Sequence, residues 1–501
     1  MAVGRRSWAP PVASASVALL AAGWLAWTNA PRPDEFHTLS HVTEPTLGAM
    51  WRSFRSAADG SPALGYVWSW AWARVLGTGL IAVRLPYVAC WGIAAAALSV
   101  LTRRAGPWAA FAAGIVPTAT SLVYLGAYAR GYAPVLAASA IALVCWDRLA
   151  EGAGRATAVA LGCSCALAVG FHQLAGLLGV LTAMVAWAVP GEGRGRPGRV
   201  VAPLVGVGVA TALNGIVLAR SFEVQRTMAR SVRPLDAIAF WPSAIAPAWP
   251  VLVPIGLLVL ASAVHRWRGP EPTTGSDEAG SGLGRDLIVL GSLAVVAVPV
   301  LAVAAMAATS GVYFHRYALP AIIGASILVA AALDPTGRPT AGRGWRGAPS
   351  VVGLLLVGAC LLATVGSARS TVGEDRAERL AADLGLADAG GPVRFSGEYD
   401  YLLVRRTADP ALAARLGLLA LPDGSSSVPG VVGSPSRVAW DRGLAPGGSV
   451  DLVGSPEELA FVDRLAAEPG RRLRVTRSAV ARFRRPGTDR RLVRIHVAWV
   501  R

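Results

Sequence analysis

Asp34 and Glu35 are the residues of this sequence whose type and position most directly suggest chemistry. They are adjacent, and they follow the first apolar segment, Val12–Trp27. Acidic side chains close to lipid are costly, and they are usually kept for a functional task. A carboxylate here can act as a general base that removes a proton from an acceptor hydroxyl, which contributes about 10²–10⁴-fold in rate. The structural alternative is a solvated loop that begins with two acids.

Two arginines with aromatic neighbours are candidates for binding phosphate. Arg130 lies in a Tyr-Ala-Arg-Gly-Tyr segment that ends at Tyr132, and Arg316 lies in a Tyr-Phe-His-Arg-Tyr segment that ends at Tyr317. A guanidinium stays charged and presents a fork of N–H donors, which suits a phosphate group. The alternative for each arginine is ordinary snorkelling towards the membrane surface.

Three histidines are further candidates for a role in the site. His172 falls at the turn between two short apolar helices, where it can hydrogen-bond a substrate or cap a helix. His37 and His41 follow the acids with i, i+4 spacing, so a divalent metal held with Asp34 is an alternative. The sequence has no glycine-rich phosphate loop and no nucleotide-binding motif. A cytoplasmic nucleotide sugar is therefore not expected as a substrate, and the one candidate cofactor is the divalent metal.

The composition is that of a membrane protein. The chain has 501 residues, of which 54% are hydrophobic and 15% are charged, whereas about 25% are charged in a typical soluble domain. Repeated apolar runs near twenty residues predict a polytopic all-α protein of the cell membrane. The net charge of +17 comes from arginine alone. It indicates basic cytoplasmic loops and contacts with anionic membrane lipids rather than nucleic acid.

About eleven spans are predicted, with the N-terminus in the cytoplasm and the C-terminus outside. The first outer loop, at about residues 30–80, is rich in tryptophan and predicts short helices at the membrane surface. The predicted spans are Val12–Trp27, residues 81–103, Trp108–Tyr124, Tyr132–Trp146, two short helices flanking His172, Val200–Ala219, Pro250–Val264, Asp286–Ala308, Ala318–Ala332 and Ser350–Ser367.

Two domains are predicted, residues 1–369 in the membrane and residues 370–501 as a small extracytoplasmic α/β domain. The charged fraction rises in the second segment. Ser455-Pro456-Glu457-Glu458 has the pattern of a helix N-terminus. Leu473–Phe483 and Leu492–Trp499 have the pattern of strands joined by a turn.

Several short motifs together resemble the GT-C superfamily of integral-membrane glycosyltransferases. The likeness is to family 39, which includes the protein O-mannosyltransferases and the lipid A aminoarabinose transferase. An Asp-Glu pair in the first outer loop is the hallmark of that family and is matched by Asp34-Glu35. The later motifs are matched by Ser61-Pro62-Ala63-Leu64-Gly65-Tyr66, by Gly77 with Arg84-Leu85-Pro86, by Ala129-Arg130-Gly131-Tyr132 and by Arg316-Tyr317-Ala318-Leu319-Pro320. The resemblance covers about residues 8–333.

The resemblance implies an inverting transfer of a sugar from a polyprenyl-phosphate donor at the outer face. The acceptor would be a hydroxyl group of a glycan, a lipid or a protein. Asp34 would be the base and Glu35 would orient either Asp34 or the acceptor, while Arg130 and Arg316 would stabilise the departing lipid phosphate. The other expected substrate-binding residues are Tyr132, Tyr317, His172 and His37.

Two functions from other classes are the alternatives. A transporter or lipid flippase would use charges within the membrane and discontinuous helices, without an outer acidic pair. A non-catalytic protein of cell-envelope assembly is the other. Internal repeats would favour transport, and the sequence shows none. The predicted function is the glycosyltransferase that the resemblance implies.

Overall fold

The structure is a computed structural model in which two compact units are distinct. It describes residues 8–29, 31–56, 61–189, 196–227, 232–268, 283–309, 313–334, 348–369, 380–389, 391–395, 401, 404, 408–420, 438–439, 449–454, 459, 462–463, 466–467, 473–485 and 488–499. The first unit, here the membrane unit, comprises Met1–Trp27 and Gly60–Arg369. The second, here the sheet unit, comprises Thr28–Asp59 and Ser370–Arg501. The predicted domain boundaries stay a prediction.

Most of the described chain is helical. The helices are α1 (Ala9–Thr28), α2 (Pro33–Val42), α3 (Leu47–Ser56), α4 (Ala63–Leu76), α5 (Leu80–Leu101), α6 (Pro107–Ile115), α7 (Tyr132–Ala150), α8 (Arg155–Phe171), α9 (Gly176–Ala188), α10 (Arg196–Thr227), α11 (Leu235–Ile245), α12 (Trp249–Arg268), α13 (Arg285–Thr309), α14 (Ala321–Leu333), α15 (Ala348–Arg369) and α16 (Pro410–Arg415). Long apolar sequences form helices in lipid because a helix satisfies its own backbone hydrogen bonds.

The helices confirm a polytopic membrane protein. Within the described residues, seven helices are long and apolar enough to cross a membrane, or eight if α6 and its bent continuation form one span. Shorter apolar helices lie at α8, α9 and α14. Counting these as well would give the eleven predicted spans, and that number stays a prediction.

The predicted span Trp108–Tyr124 is broken. Helix α6 is followed by two 3₁₀ turns, and the axis bends by 84° between Pro107–Ala119 and Ser121–Ala127. Pro117 lacks a backbone N–H and cannot continue the helical hydrogen bonds. Thr120 then adopts an extended backbone, and its hydroxyl accepts a hydrogen bond from the Leu122 N–H at 3.3 Å. The second turn therefore starts in a new direction.

Two pairs of helices approach each other closely at positions where one or both residues are glycine. A Cβ atom at Gly206 of α10 would lie 2.1 Å from the carbonyl oxygen of Gly162 in α8. The same holds between α13 and α14, where a Cβ at Gly324 would lie 2.5 Å from the carbonyl oxygen of Gly291. Small residues at such crossings allow backbones to pack directly in a membrane. A larger side chain at either crossing would force the two helices apart.

The C-terminal part contains a six-stranded mixed sheet, which confirms the predicted small α/β region. The strands are β1 (Val393–Phe395), β2 (Leu416–Ala420), β3 (Val438–Ala439), β4 (Ser449–Gly454), β5 (Leu473–Arg485) and β6 (Thr488–Trp499), in the spatial order β3-β2-β1-β4-β6-β5. Strands β3, β2, β1 and β4 are parallel, and β6 is antiparallel to both β4 and β5.

Both faces of the sheet carry buried apolar residues. Neighbouring residues of β6 show this, since Leu492 packs with Phe395 on one face while Val493 packs with Leu452 on the other. Alternation along a strand sends successive side chains to opposite faces. The predicted strands Leu473–Phe483 and Leu492–Trp499 fall within β5 and β6. The predicted helix start at 455–458 lies outside the described residues.

Candidate functional site

Arg130 is held in a short loop that packs against the end of α8. The chain leaves the bent turn Ser121–Ala127 with Tyr128 in an extended conformation, passes Arg130 and enters α7 at Tyr132. Gly131 permits this path, because a Cβ atom there would lie 2.5 Å from the carbonyl oxygen of Phe171. This contact brings the arginine loop next to the turn at His172.

The guanidinium of Arg130 is held by two hydroxyl groups. Its Nη1 donates a hydrogen bond to the Tyr66 hydroxyl at 2.5 Å, and its Nη2 donates to the Ser61 hydroxyl. The guanidinium carbon also lies 5.6 Å from the centre of the Tyr66 ring, within the range of a cation–π contact. Arg130 is 8% exposed. Two hydrogen bonds and one ring contact fix the direction of this buried charge.

Arg316 is held in a similar way by a second tyrosine. It lies in the 3₁₀ turn His315–Ala318, which precedes α14. Its Nε donates a hydrogen bond to the Tyr132 hydroxyl at 2.7 Å. Its guanidinium carbon lies 4.1 Å from the centre of the Phe314 ring and 5.9 Å from that of Tyr317. Each predicted phosphate-binding arginine is thus paired with a tyrosine hydroxyl.

His172 connects the two arginines. Its ring centre lies 5.5 Å from that of Tyr132 and 5.1 Å from that of Tyr317. Burial, together with the positive charges of Arg316 and Arg130, lowers the pKa of His172 to about 3. Because Arg316 donates a hydrogen bond to Tyr132, which lies two residues from Arg130, the structure brings the two arginines into one cluster. We call Arg130, Tyr132, His172, Arg316 and Tyr317 the arginine cluster.

His172 should remain neutral between about pH 5 and pH 8, because its pKa of about 3 lies below this range. A neutral imidazole offers one N–H donor and one acceptor. The measurement is a pH titration of ¹⁵N-labelled histidine rings by NMR, with the His172→Gln variant to assign the signal. A midpoint near the ordinary histidine value of about 6.5 would contradict the burial of this ring.

The acidic pair lies in the first turn of α2, which belongs to the sheet unit. Glu35 is fully buried, and its Oε2 accepts a hydrogen bond from the Arg32 N–H at 2.9 Å. Thr38 is buried on the same face of the helix. Asp34 and His37 are half-buried and share the neighbouring face by their i, i+3 spacing. The helix therefore separates the two acids, with Glu35 at its N-terminal cap and Asp34 on the more accessible face.

The structure thus places the predicted site residues in two groups. The arginine cluster lies in the membrane unit, and Asp34, Glu35 and His37 lie in the sheet unit. In the part of the chain that is described, no three His, Cys, Asp or Glu side chains are grouped so that they could hold a metal ion. Ser61 and Tyr66, which hold Arg130, were not among the predicted site residues. Their place in the segment Ser61-Pro62-Ala63-Leu64-Gly65-Tyr66, which matches a motif of the resembled family, was the available signal.

Comparisons with known proteins identify the fold. No protein-family profile and no curated protein sequence matches the chain. The crystal structure of ArnT from Cupriavidus metallidurans in the apo state matches with a TM-score of 0.59 and 15% identity. The structure of the same protein bound to undecaprenyl phosphate matches with a TM-score of 0.56 and 14% identity. Each match covers 96% of this chain and 97% of that chain. The chain therefore has the fold of ArnT.

Proposed function

We propose that this protein is a glycosyltransferase that takes a sugar from a polyprenyl-phosphate carrier and transfers it to a hydroxyl group at the outer face of the cell membrane. The acceptor is a glycan, a lipid or a protein. The observation that carries the proposal is the arginine cluster, in which the Tyr132 hydroxyl, two residues from Arg130, accepts a hydrogen bond from Arg316 and the His172 ring lies against the rings of Tyr132 and Tyr317. It occurs in a chain with the fold of ArnT, of which one solved structure is bound to undecaprenyl phosphate.

The reaction is an inverting displacement at the anomeric carbon of the donor. Asp34 removes the proton of the acceptor hydroxyl, and the acceptor oxygen forms a bond to the anomeric carbon. The bond between that carbon and the phosphate oxygen breaks, and the electron pair leaves with the lipid phosphate. Arg130 and Arg316 stabilise the negative charge that grows on the phosphate, which is the usual task of donors aimed at a developing charge.

Glu35 has a supporting role in this proposal. Its buried carboxylate closes the N-terminal turn of α2 by its hydrogen bond to the Arg32 N–H. A carboxylate so placed fixes the first turn and with it the direction of Asp34. His37 shares the face of Asp34 and is a candidate contact for the acceptor.

The C-terminal sheet should lie outside the cytoplasm, with the N-terminus inside. This follows from an odd number of spans and from basic residues at the inner ends of most spans. An alkaline phosphatase fused after Arg501 should be active, and a fluorescent protein that matures only in the cytoplasm should stay dark. The reverse pattern would mean that one span is miscounted. Residues 220–233 are the first place to look, because the predicted topology places their four arginines outside, where basic residues are disfavoured.

A transporter or flippase is the rival function, and proteoliposomes can separate the two. Purified protein is reconstituted with a polyprenyl-phosphate sugar whose sugar carries the radiolabel, and an envelope extract supplies acceptors. A transferase moves the label from the carrier to the acceptor fraction. A flippase leaves the label on the carrier and changes the leaflet in which it is found, and that outcome would refute the proposal.

A further inference from the structure

Two buried polar atoms near the arginine cluster lack hydrogen-bond partners within the described part of the chain. They are the side-chain carbonyl oxygen of Gln173 and the hydroxyl oxygen of Tyr313. A buried polar group that stays unpaired costs roughly 1–3 kcal/mol. The great majority of such groups in proteins are paired with protein, water or ligand. Two of them beside a candidate site therefore call for an explanation.

The two residues come from segments that meet at one apolar contact. Gln173 follows His172 and opens the 3₁₀ turn Gln173–Ala175. Tyr313 precedes Arg316, and its ring centre lies 6.2 Å from that of Tyr317. Leu174 belongs to the buried cluster against which Tyr313 and Tyr317 both pack. Gln173 and Tyr313 are thus close in sequence to His172 and Arg316. The segment that follows Gln173 packs, through Leu174, in the same apolar cluster as Tyr313 and Tyr317.

The chemistry of the two groups selects the kind of ligand. The carbonyl oxygen of Gln173 accepts hydrogen bonds, and its partner must therefore carry an O–H or N–H donor. Burial raises the pKa of Tyr313, and the negative charge of Asp236 raises it further. The Tyr313 hydroxyl thus stays protonated and can both donate and accept. An ionised phosphate only accepts, whereas a sugar carries several hydroxyl groups that do both.

The surroundings also fit a sugar ring. Two pairs of rings line this segment, since the ring centres of Phe314 and Tyr317 lie 5.5 Å apart and those of Tyr313 and His315 lie 5.9 Å apart. Ligand sites typically combine such aromatic walls with a few placed polar groups. The phosphate-binding arginine of this segment, Arg316, is three positions from Tyr313. The sugar of the donor is bonded directly to its phosphate, and it must therefore lie close to the arginines.

We propose that Gln173 and Tyr313 form a subsite for the hydroxyl groups of the donor sugar and set the preference for that sugar. This inference rests on the proposed function, because it takes the arginine cluster as the phosphate site. A single ordered water that bridges the two groups is the competing explanation. A bridging water would affect the stability of the fold without distinguishing a sugar-bearing carrier from a bare one.

The test measures binding of two matched lipids to the full chain in nanodiscs. One probe is undecaprenyl phosphate, and the other is the same lipid carrying glucose, mannose or 4-amino-4-deoxyarabinose. The wild type should bind at least one sugar-bearing lipid more tightly than the bare lipid. Gln173→Met and Tyr313→Phe should each weaken that binding by about 5–10-fold, as expected for one lost hydrogen bond, while binding of the bare lipid stays unchanged.

Two further variants separate the subsite from a structural effect. Gln173→Glu keeps an acceptor oxygen and should retain the preference for the sugar-bearing lipid. Tyr87→Phe removes a hydroxyl that is hydrogen-bonded to Ser69 and should leave the preference as in the wild type. Equal affinity of the wild type for bare and sugar-bearing lipids, or equal losses for both lipids in Gln173→Met and Tyr313→Phe, would overturn the proposal.

The lipid-binding test and the label-transfer test can succeed or fail independently of each other. If sugar preference depends on Gln173 and Tyr313 but no label reaches an acceptor, the subsite is supported and the transferase proposal fails. If label is transferred but both variants keep the wild-type preference, the transferase proposal stands and the subsite is refuted. Thermal unfolding of each variant shows whether it is folded, and the two variants at separate positions provide independent tests.

Discussion

Replacing Asp34 with asparagine should reduce sugar transfer by about 10²–10⁴-fold, the contribution of general base catalysis. The amide keeps the size of the carboxylate but cannot take the proton of the acceptor hydroxyl. Asp34 is half-buried in the first turn of α2, and the fold and the binding of donor should therefore change little. The measurement is the initial rate of label transfer from a radiolabelled polyprenyl-phosphate sugar, with donor binding measured on the same sample.

A neighbouring acid provides the control for this variant. Glu44 follows α2 in the same segment, and Glu44→Gln removes one negative charge without touching the proposed base. It should transfer at close to the wild-type rate. If Asp34→Asn keeps more than about a tenth of the wild-type rate, Asp34 is not the general base.

Alanine at Arg130 or at Arg316 should weaken use of the donor by about 1.5–3 kcal/mol, the range for hydrogen bonds to charged groups. A lone guanidinium at the membrane surface gains little, because water and lipid headgroups compete for it. Two guanidinium groups around one phosphate in a drier site make stronger, charge-assisted hydrogen bonds. The measurement is kcat/KM for the donor in each variant and in the double variant.

The double variant distinguishes one shared phosphate from two separate effects. Both arginines are proposed to act on one ligand, and the loss in Arg130→Ala with Arg316→Ala should therefore be smaller than the sum of the single losses. Arg74→Ala is the control, because Arg74 is exposed and lies 4.8 Å from the Trp70 ring centre. Full additivity, or unchanged affinity for the donor in both single variants, would refute a shared phosphate site.

Much of the membrane fold could be predicted from the sequence. The predicted spans Val12–Trp27 and Asp286–Ala308 lie within α1 and α13. A run of about twenty apolar residues has few ways to satisfy its backbone in lipid, and a helix is the simplest. The hairpin of β5 and β6 was predicted because alternation of apolar residues is specific to a half-buried strand. Such features depend on local sequence alone.

The break after α6 and the start of the span at Leu235 could not be predicted in this way. Apolar content continues through Pro117 and Thr120, and only the local hydrogen bond of the Thr120 hydroxyl shows that the axis turns there. The prediction placed a span at Pro250–Val264, whereas the structure places a candidate span at Leu235–Val259. Asp236 interrupts the apolar pattern near the start of this span. Helix α11 was therefore not predicted as part of a span.

The arrangement of the candidate site was partly predictable. Residue type and aromatic neighbours marked Arg130, His172 and Arg316, but their meeting depends on Gly131 packing against Phe171, which is a contact between distant segments. The burial of Glu35 and the greater exposure of Asp34 depend on which face of α2 is covered. Sequence alone does not reveal that face, because polar and apolar residues alternate without a clear stripe in this short helix.

The most direct test of the central claim is label transfer by the purified protein. The protein is incubated with undecaprenyl-phosphate sugars that are radiolabelled in the sugar, together with envelope extract as the source of acceptors. We expect label to leave the carrier lipid and to appear in an acceptor fraction, with wild-type protein and with Glu44→Gln but not with Asp34→Asn. Label that stays on the carrier with every sugar tested, while the folded protein still binds the carrier, would contradict the claim that this chain is a glycosyltransferase.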